Sequence, residues 1–368
     1  MDQAETNLKP NILIAPLDWG LGHATRCIPI IHSLIQKNCN VLIACEGPVK
    51  ALLNQEFPEL RFIDLRGYRI QYSKNSRAFS LQIGKQIPTI LSTIQYENER
   101  LKEIVKEHAI QGVISDNRYG FYHKSIPSVF ITHQLRIKTP FGKLADDLLQ
   151  YLNYKYINRF SQCWIPDNEG HPCLAGELSH PEKMPSIPSK YLGLLSRFKE
   201  KEHDQKTHPL ILLSGPEPQR TIFERILIEQ LSDYDGPVVF VRGLPGGDHT
   251  ITLPSNIDVY NHLTAGELNQ KMIEASVVVG RCGYSTVMDL TRLRKKSILI
   301  PTPGQSEQLY LAKHLMKNNL ALCIDQDKFM LKNSLELWSH FNWKIGNFPL
   351  QDHLESVLED FIAMATKQ

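Results

Sequence analysis

Short apolar runs of strand length alternate along the chain with stretches in which apolar residues recur every three or four positions. Residues 11–16 (NILIAP) lead into a loop holding Gly20 and Gly22, then into Ile28, Ile31, Leu34 and Ile35 on one helical face, then into 41–45 (VLIAC). Strand, glycine loop, helix and strand make a βαβ unit, and two strands joined through a helix run parallel. The same reading predicts strands at 61–65, 112–115, 128–132 and 162–166, with helices near 82–108 and 146–160.

The pattern then breaks. Pro181, Pro185 and Pro188 fall close together and are followed by the charged stretch 199–206, which reads as a linker. A second series begins at 210–214 (LILLS) and continues with strands at 238–242, 257–260, 277–280 and 298–301. Helices are expected over 221–231, over 265–274 and from Ser285. The alternation fades after about Asp325, and 350–365 carries Leu354, Val357, Leu358, Phe361 and Ile362 at amphipathic helical spacing. The fold class is therefore α/β, with two parallel-sheet domains. Their bounds are 8–178 and 207–345, with a linker over 179–206 and a terminal segment, 346–368.

A chain of 368 residues exceeds what one core usually serves. Lysine and arginine number 41 against 39 acidic residues, a balance that gives no general attraction to nucleic acid. The seven cysteines are odd in number and none forms C-x-x-C, which disfavours a zinc site or a disulfide framework and suits a reducing cytoplasm. The first ten residues carry no apolar core of a secretory signal, and no apolar run could span a bilayer.

Four segments at predicted strand ends bear chemistry. Gly20-Leu21-Gly22-His23 opens a helix, so its glycines admit a close ligand while free N–H groups face an anion. His23 at a sheet edge suits proton removal near neutral pH, the plain alternative being a helix cap. Gly283, Ser285 and Thr286, after 277–280, form a second diphosphate cradle in which the two hydroxyl residues are cap candidates. Asp289, one turn later, is placed to accept from a ribose diol or simply to favour the positive helix end. The stiff loop 301–308 offers Gln305, Glu307 and Gln308 to sugar hydroxyls or to its own helix. Ser214, Gly215 and Arg220 follow the first strand of the second domain and could contact phosphate. Asp116 ends another strand, where it could orient His23, bind the second substrate or cap a helix. Asp146-Asp147 reads as a solvated helix face, and Arg136, Lys138, Phe141 and Lys143 as an exposed edge that could touch a membrane.

The segments 279–290 and 301–308 together resemble the donor-binding signature of glycosyltransferase family 28, and Gly20–Arg26 resembles the G-x-G-H-x-x-R variant of that family's N-terminal loop. The resemblance implies the GT-B fold: two Rossmann-like domains facing across a cleft, with the C-terminal helix returning to the first. Position by position, it implies that Gly283, Ser285 and Thr286 line the diphosphate, Asp289 holds the ribose, and Glu307 with Gln308 reads the sugar. Backbone near His262 and Leu263 meets the base, uracil in this family; His23 is the base of catalysis, and His133-Gln134 lies on the acceptor side. Leu309 departs from the glutamine of the family's peptidoglycan branch, which leaves the sugar open.

The implied activity is inverting, metal-independent transfer of a hexose-type sugar from a UDP-sugar co-substrate, with no cofactor. The acceptor is open, a glycolipid or lipid-linked precursor among the candidates, and the expected place is the cytoplasm with at most peripheral membrane contact. A nucleotide-sugar hydrolase of the same fold and a non-catalytic nucleotide-sugar binding protein are the alternatives.

Overall fold

A computed structural model describes residues 9–69, 86–200, 208–244 and 250–367. The start of the helix expected from residue 82, residue 8, the linker from 201 onward and Gln368 lie outside them. In the first domain β1 (Asn11–Pro16), α1 (Leu21–Gln36), β2 (Asn40–Cys45), α2 (Gly47–Glu56) and β3 (Arg61–Asp64) come first. They are followed by α3 (Ile87–Glu107), β4 (Gly112–Asp116), β5 (Ser128–Ile131), α4 (Lys143–Ile157), β6 (Gln162–Ile165) and β7 (Ser189–Tyr191). The sheet runs β3-β2-β1-β4-β5-β6-β7 and every pairing is parallel. Its central strands are buried along nearly their whole length, as a sheet covered by helices on both faces requires.

The second domain repeats the plan with β8 (Leu210–Leu212), α5 (Gln219–Ser232), β9 (Val238–Val241), β10 (Ile257–Tyr260), α6 (Ala265–Glu274) and β11 (Val278–Arg281). Then come α7 (Tyr284–Arg292), β12 (Ser297–Ile300), α8 (Ser306–Lys317), β13 (Leu322–Cys323), α9 (Leu331–His340) and α10 (Leu354–Thr366). Its strand order is β10-β9-β8-β11-β12-β13, again parallel. Strand β7 lies inside the stretch expected to be linker: the prolines lead into a short edge strand that extends the first sheet to Tyr191.

Two crossings join the domains side by side. Gly193 bridges Asp352 in antiparallel sense, and the His353 N–H donates to the Leu192 carbonyl at 3.0 Å. Helix α10 then lies on the first domain, burying Leu354, Val357, Leu358, Phe361 and Ala365 along one face. Phe361 meets Trp164 edge-on at 5.5 Å, and a Cβ on Gly112 would stand 2.7 Å from its ring, so β4 accepts this helix only because position 112 is glycine. Full burial of a side chain of this size is worth about 1.5–3 kcal/mol. At the helix surface Glu355 accepts from Ser33, while Lys37 pairs with Glu355 and Glu359 at 2.9 and 2.7 Å. All seven cysteines are free and six are buried. No helix among the described residues is long and apolar enough to cross a membrane.

Candidate active site

The carboxyl ends of β1 and β4 lie side by side, with Pro16 opposite Asp116. Strand order reverses here, and in open parallel sheets ligands settle in the crevice outside such a reversal. The loop leaving β1 turns at Gly20, whose φ of 99° side-chain-bearing residues rarely adopt, and brings His23 into the first turn of α1. His23 Nδ1 is 3.2 Å from each Asp116 oxygen. Arg26, one turn further, holds the same carboxylate as a fork: Nε donates to Oδ2 at 2.8 Å and Nη2 to Oδ1. Asp116 is completely buried, which by itself favours the neutral acid, yet Arg26 and His23 together hold its carboxyl well below the usual range. Burial lowers the His23 pKa; Asp116 opposes this and Arg26 adds to it. The imidazole is therefore neutral near pH 7, the form able to take a proton.

The second domain offers its own reversal, between β8 and β11. Gly283 is the N-cap of α7, so Ser285 and Thr286 stand inside the first turn and are not its caps. The Ser285 hydroxyl instead donates to the Gly22 carbonyl of the first domain at 2.9 Å. Tyr284 stacks on His133 with ring centres 3.9 Å apart, and its hydroxyl donates to the Pro166 carbonyl at 2.7 Å. Asp289 accepts from Ser196 Oγ at 2.6 Å. Its carboxyl is pushed up to about 6 by burial, against the opposing pull of Arg197 and of the Ser196 bond. Ser196 and Arg197 belong to the inter-domain crossing, so the crossing itself walls the place expected for a ribose.

Strand β12 feeds the third loop. Glu307, on the first turn of α8, is grasped from the other domain: His133 Nε2 is 2.8 Å from Oε1, and Gln134 Nε2 donates to Oε2. Burial would raise its carboxyl, but His133, then His23 and Arg26, bring it below the usual range. Gln308 does not face the cleft in the way expected of a sugar reader. Its Oε1 accepts from the Thr302 N–H at 2.8 Å and its Nε2 donates to Gln305 Oε1 at 2.5 Å, so both amides brace their own loop.

Other expected contacts are placed differently. Arg220 points inward, donating to Glu217 at 2.7 Å, Glu224 at 3.2 Å and the Arg242 carbonyl at 3.1 Å. Those bonds brace α5 against β9 and turn the guanidinium away from a phosphate. Ser214 and Gly215 do lie at the end of β8, Gly215 with φ 106°. His262 and Leu263 precede the capping box of α6, Thr264 with Glu267; Leu263 is buried, and burial, then Arg197, lowers the His262 pKa. Asp146 is buried and accepts from Thr139 N and Oγ1 at 2.7 and 2.9 Å, so it is no solvated face. Asp167, Cys173 and His180 form the group among the described residues that could hold a metal ion, but the Asp167 carboxylate already accepts from the Leu174 and Ala175 N–H groups and from Ser179.

The cleft thus joins His23, Asp116, His133, Gln134, Gly22, Ser285 and Glu307. Reasoning from sequence passed over Arg26, Tyr284 and Ser196. Arg26 carried a signal, one helical turn beyond His23 on the same face; Ser196 sits in an irregular crossing and carried none.

Residues 252–337 match the glycosyltransferase family 28 C-terminal domain. The chain is 21% identical over 328 residues to the UDP-N-acetylglucosamine--N-acetylmuramyl-(pentapeptide) pyrophosphoryl-undecaprenol N-acetylglucosamine transferase of Limosilactobacillus reuteri, covering 83% of each. A calicheamicin glycosyltransferase superposes with TM-score 0.62 at 11% identity, over 97% of this chain and 95% of that one. MurG of Acinetobacter baumannii does so with TM-score 0.52 at 13% identity, over 98% and 95%. The chain has the GT-B fold, and its second domain is similar to the C-terminal domain of glycosyltransferase family 28. The span matched to family 28 contains Gly283–Asp289 and Gln305–Gln308, whereas His23 and Asp116 lie outside it.

Proposed function

We propose that this chain transfers a hexose-type sugar from a UDP-sugar to an acceptor hydroxyl, with inversion and without a metal ion. The observation that carries the reading is the meeting of the two glycine loops: Ser285 of the donor half touches Gly22, next to the His23–Asp116 pair of the other half. A diphosphate held at the α7 N-terminus receives amide and hydroxyl donors, which stabilise charge as the leaving group departs. His23 takes the acceptor proton, and Asp116 steadies the imidazolium that results. Asp289 accepts from the ribose hydroxyls once they displace Ser196.

The acceptor we propose is amphiphilic. On α4 and the loop before it Phe141 is 68% exposed and Leu144 86%, with Leu148, Tyr151 and Leu152 continuing the same apolar face. An apolar patch of this kind marks an interaction surface. Two of the three cations foreseen beside it are paired, Arg136 with Asp147 at 2.6 Å and Lys138 with Glu177 at 2.6 Å, so contact with a lipid surface would be mainly apolar in origin.

The test is a thermal-shift screen of nucleoside diphosphates and their sugars, followed by product analysis. A ligand at a hundred times its dissociation constant stabilises by about 2.7 kcal/mol. UDP sugars giving no shift where another nucleotide does would contradict the uracil assignment. Free sugar released at full rate without acceptor would make the chain a hydrolase; binding without turnover would make it a sensor.

A further inference from the structure

Arg26 touches more of the site than its bond to Asp116. Its Nη2 is 2.9 Å from His23 Nδ1, nearer than either Asp116 oxygen at 3.2 Å. A guanidinium has only N–H donors and does not lose its proton, so this contact requires a lone pair on Nδ1. A neutral imidazole with its lone pair there carries its hydrogen on Nε2. That tautomer donates a hydrogen bond into the cleft. A general base needs the other one, with Nδ1–H on the carboxylate and the lone pair on Nε2.

The Nη2 hydrogen has a second place to go. With the Asn117 amide turned so that its nitrogen donates to the Ile131 carbonyl at 3.3 Å and to Thr132 Oγ1 at 3.0 Å, its oxygen lies 3.2 Å from Arg26 Nη2.

We infer that Arg26 is a positioning residue that selects the tautomer of His23, with Asn117 as the alternative acceptor that lets His23 become a base. With Nη2–H on Nδ1 the imidazole is held as an Nε2–H donor. With that hydrogen on Asn117, Nδ1–H turns to Asp116 and Nε2 is free to take a proton. The exchange passes through the imidazolium: one proton is taken from water at Nδ1 and one is returned to water from Nε2, leaving the charge unchanged. Arg26 Nη1 is also 3.4 Å from His133 Nδ1, whose other nitrogen faces Glu307, so the guanidinium is tied to the donor half of the cleft. The charged and titratable groups facing the imidazole are Asp116, Arg26 and His133, with Glu307 and Cys27 behind them. The inference rests on reading His23 as the base.

The test is nitrogen NMR of the full chain labelled at histidine, recorded above the His23 titration, with His23→Ala to assign the signal. The expected result is the Nε2–H form in the free wild type and a shift to the Nδ1–H form in Arg26→Lys, whose acidic limb in kcat/KM moves to higher pH. Asn117→Gly, chosen because φ is 59° at that position, keeps the Nε2–H form and lowers kcat about a hundredfold with donor KM unchanged. A free wild type already in the Nδ1–H form overturns the inference, even if Arg26→Lys does not fold; so does an Arg26→Lys protein with tautomer and pH profile unchanged. His23→Ala transferring sugar at the wild-type rate would overturn the base reading instead, leaving the tautomer result standing.

Discussion

The Ser285 hydroxyl donates to the Gly22 carbonyl across the inter-domain cleft, 2.9 Å away. A Cβ built on Gly22 would lie 2.8 Å from that oxygen and 3.3 Å from Ser285 Cβ, so the two loops meet this closely only with glycine on one side. Replacing Gly22 by alanine therefore holds the loops apart. It should lower kcat/KM about tenfold, or roughly 1.4 kcal/mol. Adding Ser285→Gly to that chain should recover part of the loss, whereas independent sites would add. Steady-state rates of the four proteins check this.

Asp289 titrates near 6 in the donor-free protein, above the ordinary carboxyl value. An ionised carboxylate accepts from both ribose hydroxyls, whereas a protonated one has given up acceptor capacity. Donor affinity should be constant above about pH 7 and should fall as pH drops through 6. For the fold alone the sign is opposite: a raised acid pKa contributes stability at low pH that is lost as pH rises through 6. Asp289→Asn should flatten the affinity profile, as measured by UDP titration from pH 5 to 8.

His133 and Glu307 form the second bridge, with Gln134 beside them. Because Glu307 lies below the usual carboxyl range, the stability this bond adds is present above the unfolded pKa and is lost as pH falls through the lowered one. Alanine at either position should weaken donor binding, and the double variant should lose less than the sum, with a coupling of about 0.5–3 kcal/mol. Glu307→Gln should also broaden the range of sugars accepted, read as kcat/KM across a panel of donors.

The exposed face of α4 makes a separate prediction. Leu144→Glu with Leu148→Glu should abolish co-sedimentation with lipid vesicles while leaving UDP affinity and thermal stability near wild type, since both side chains are exposed. Because Arg136 and Lys138 are already paired, salt should affect this binding little.

Which parts were legible in sequence follows from how each part is encoded. Strands such as 41–45 and 238–241 are continuous apolar runs, and burial on both faces writes them plainly. Helix α10 was readable because one face alone is buried. Strand β7 was not, since Ser189–Tyr191 is an edge of three half-buried residues directly after a run of prolines. Helix α9 was missed as well, its buried residues being only Leu331 and Ser334. The glycine loops identify the cleft because φ and close approach restrict residue type there. Polar side chains are different: Arg220 and Gln308 have the right chemistry for a ligand, but partners such as the Arg242 carbonyl and the Thr302 N–H are brought to them only by folding. Arg26 lay one turn from His23 all along, yet its role depends on Asp116, ninety residues away in sequence.

The central claim is tested most directly by calorimetric titration of UDP into the wild type, Asp289→Ala and His23→Ala. The account predicts one UDP per chain in the wild type, affinity at least tenfold weaker in Asp289→Ala, about 1.4 kcal/mol, and affinity near wild type in His23→Ala. No binding of UDP, or binding that Asp289→Ala leaves intact, would contradict it.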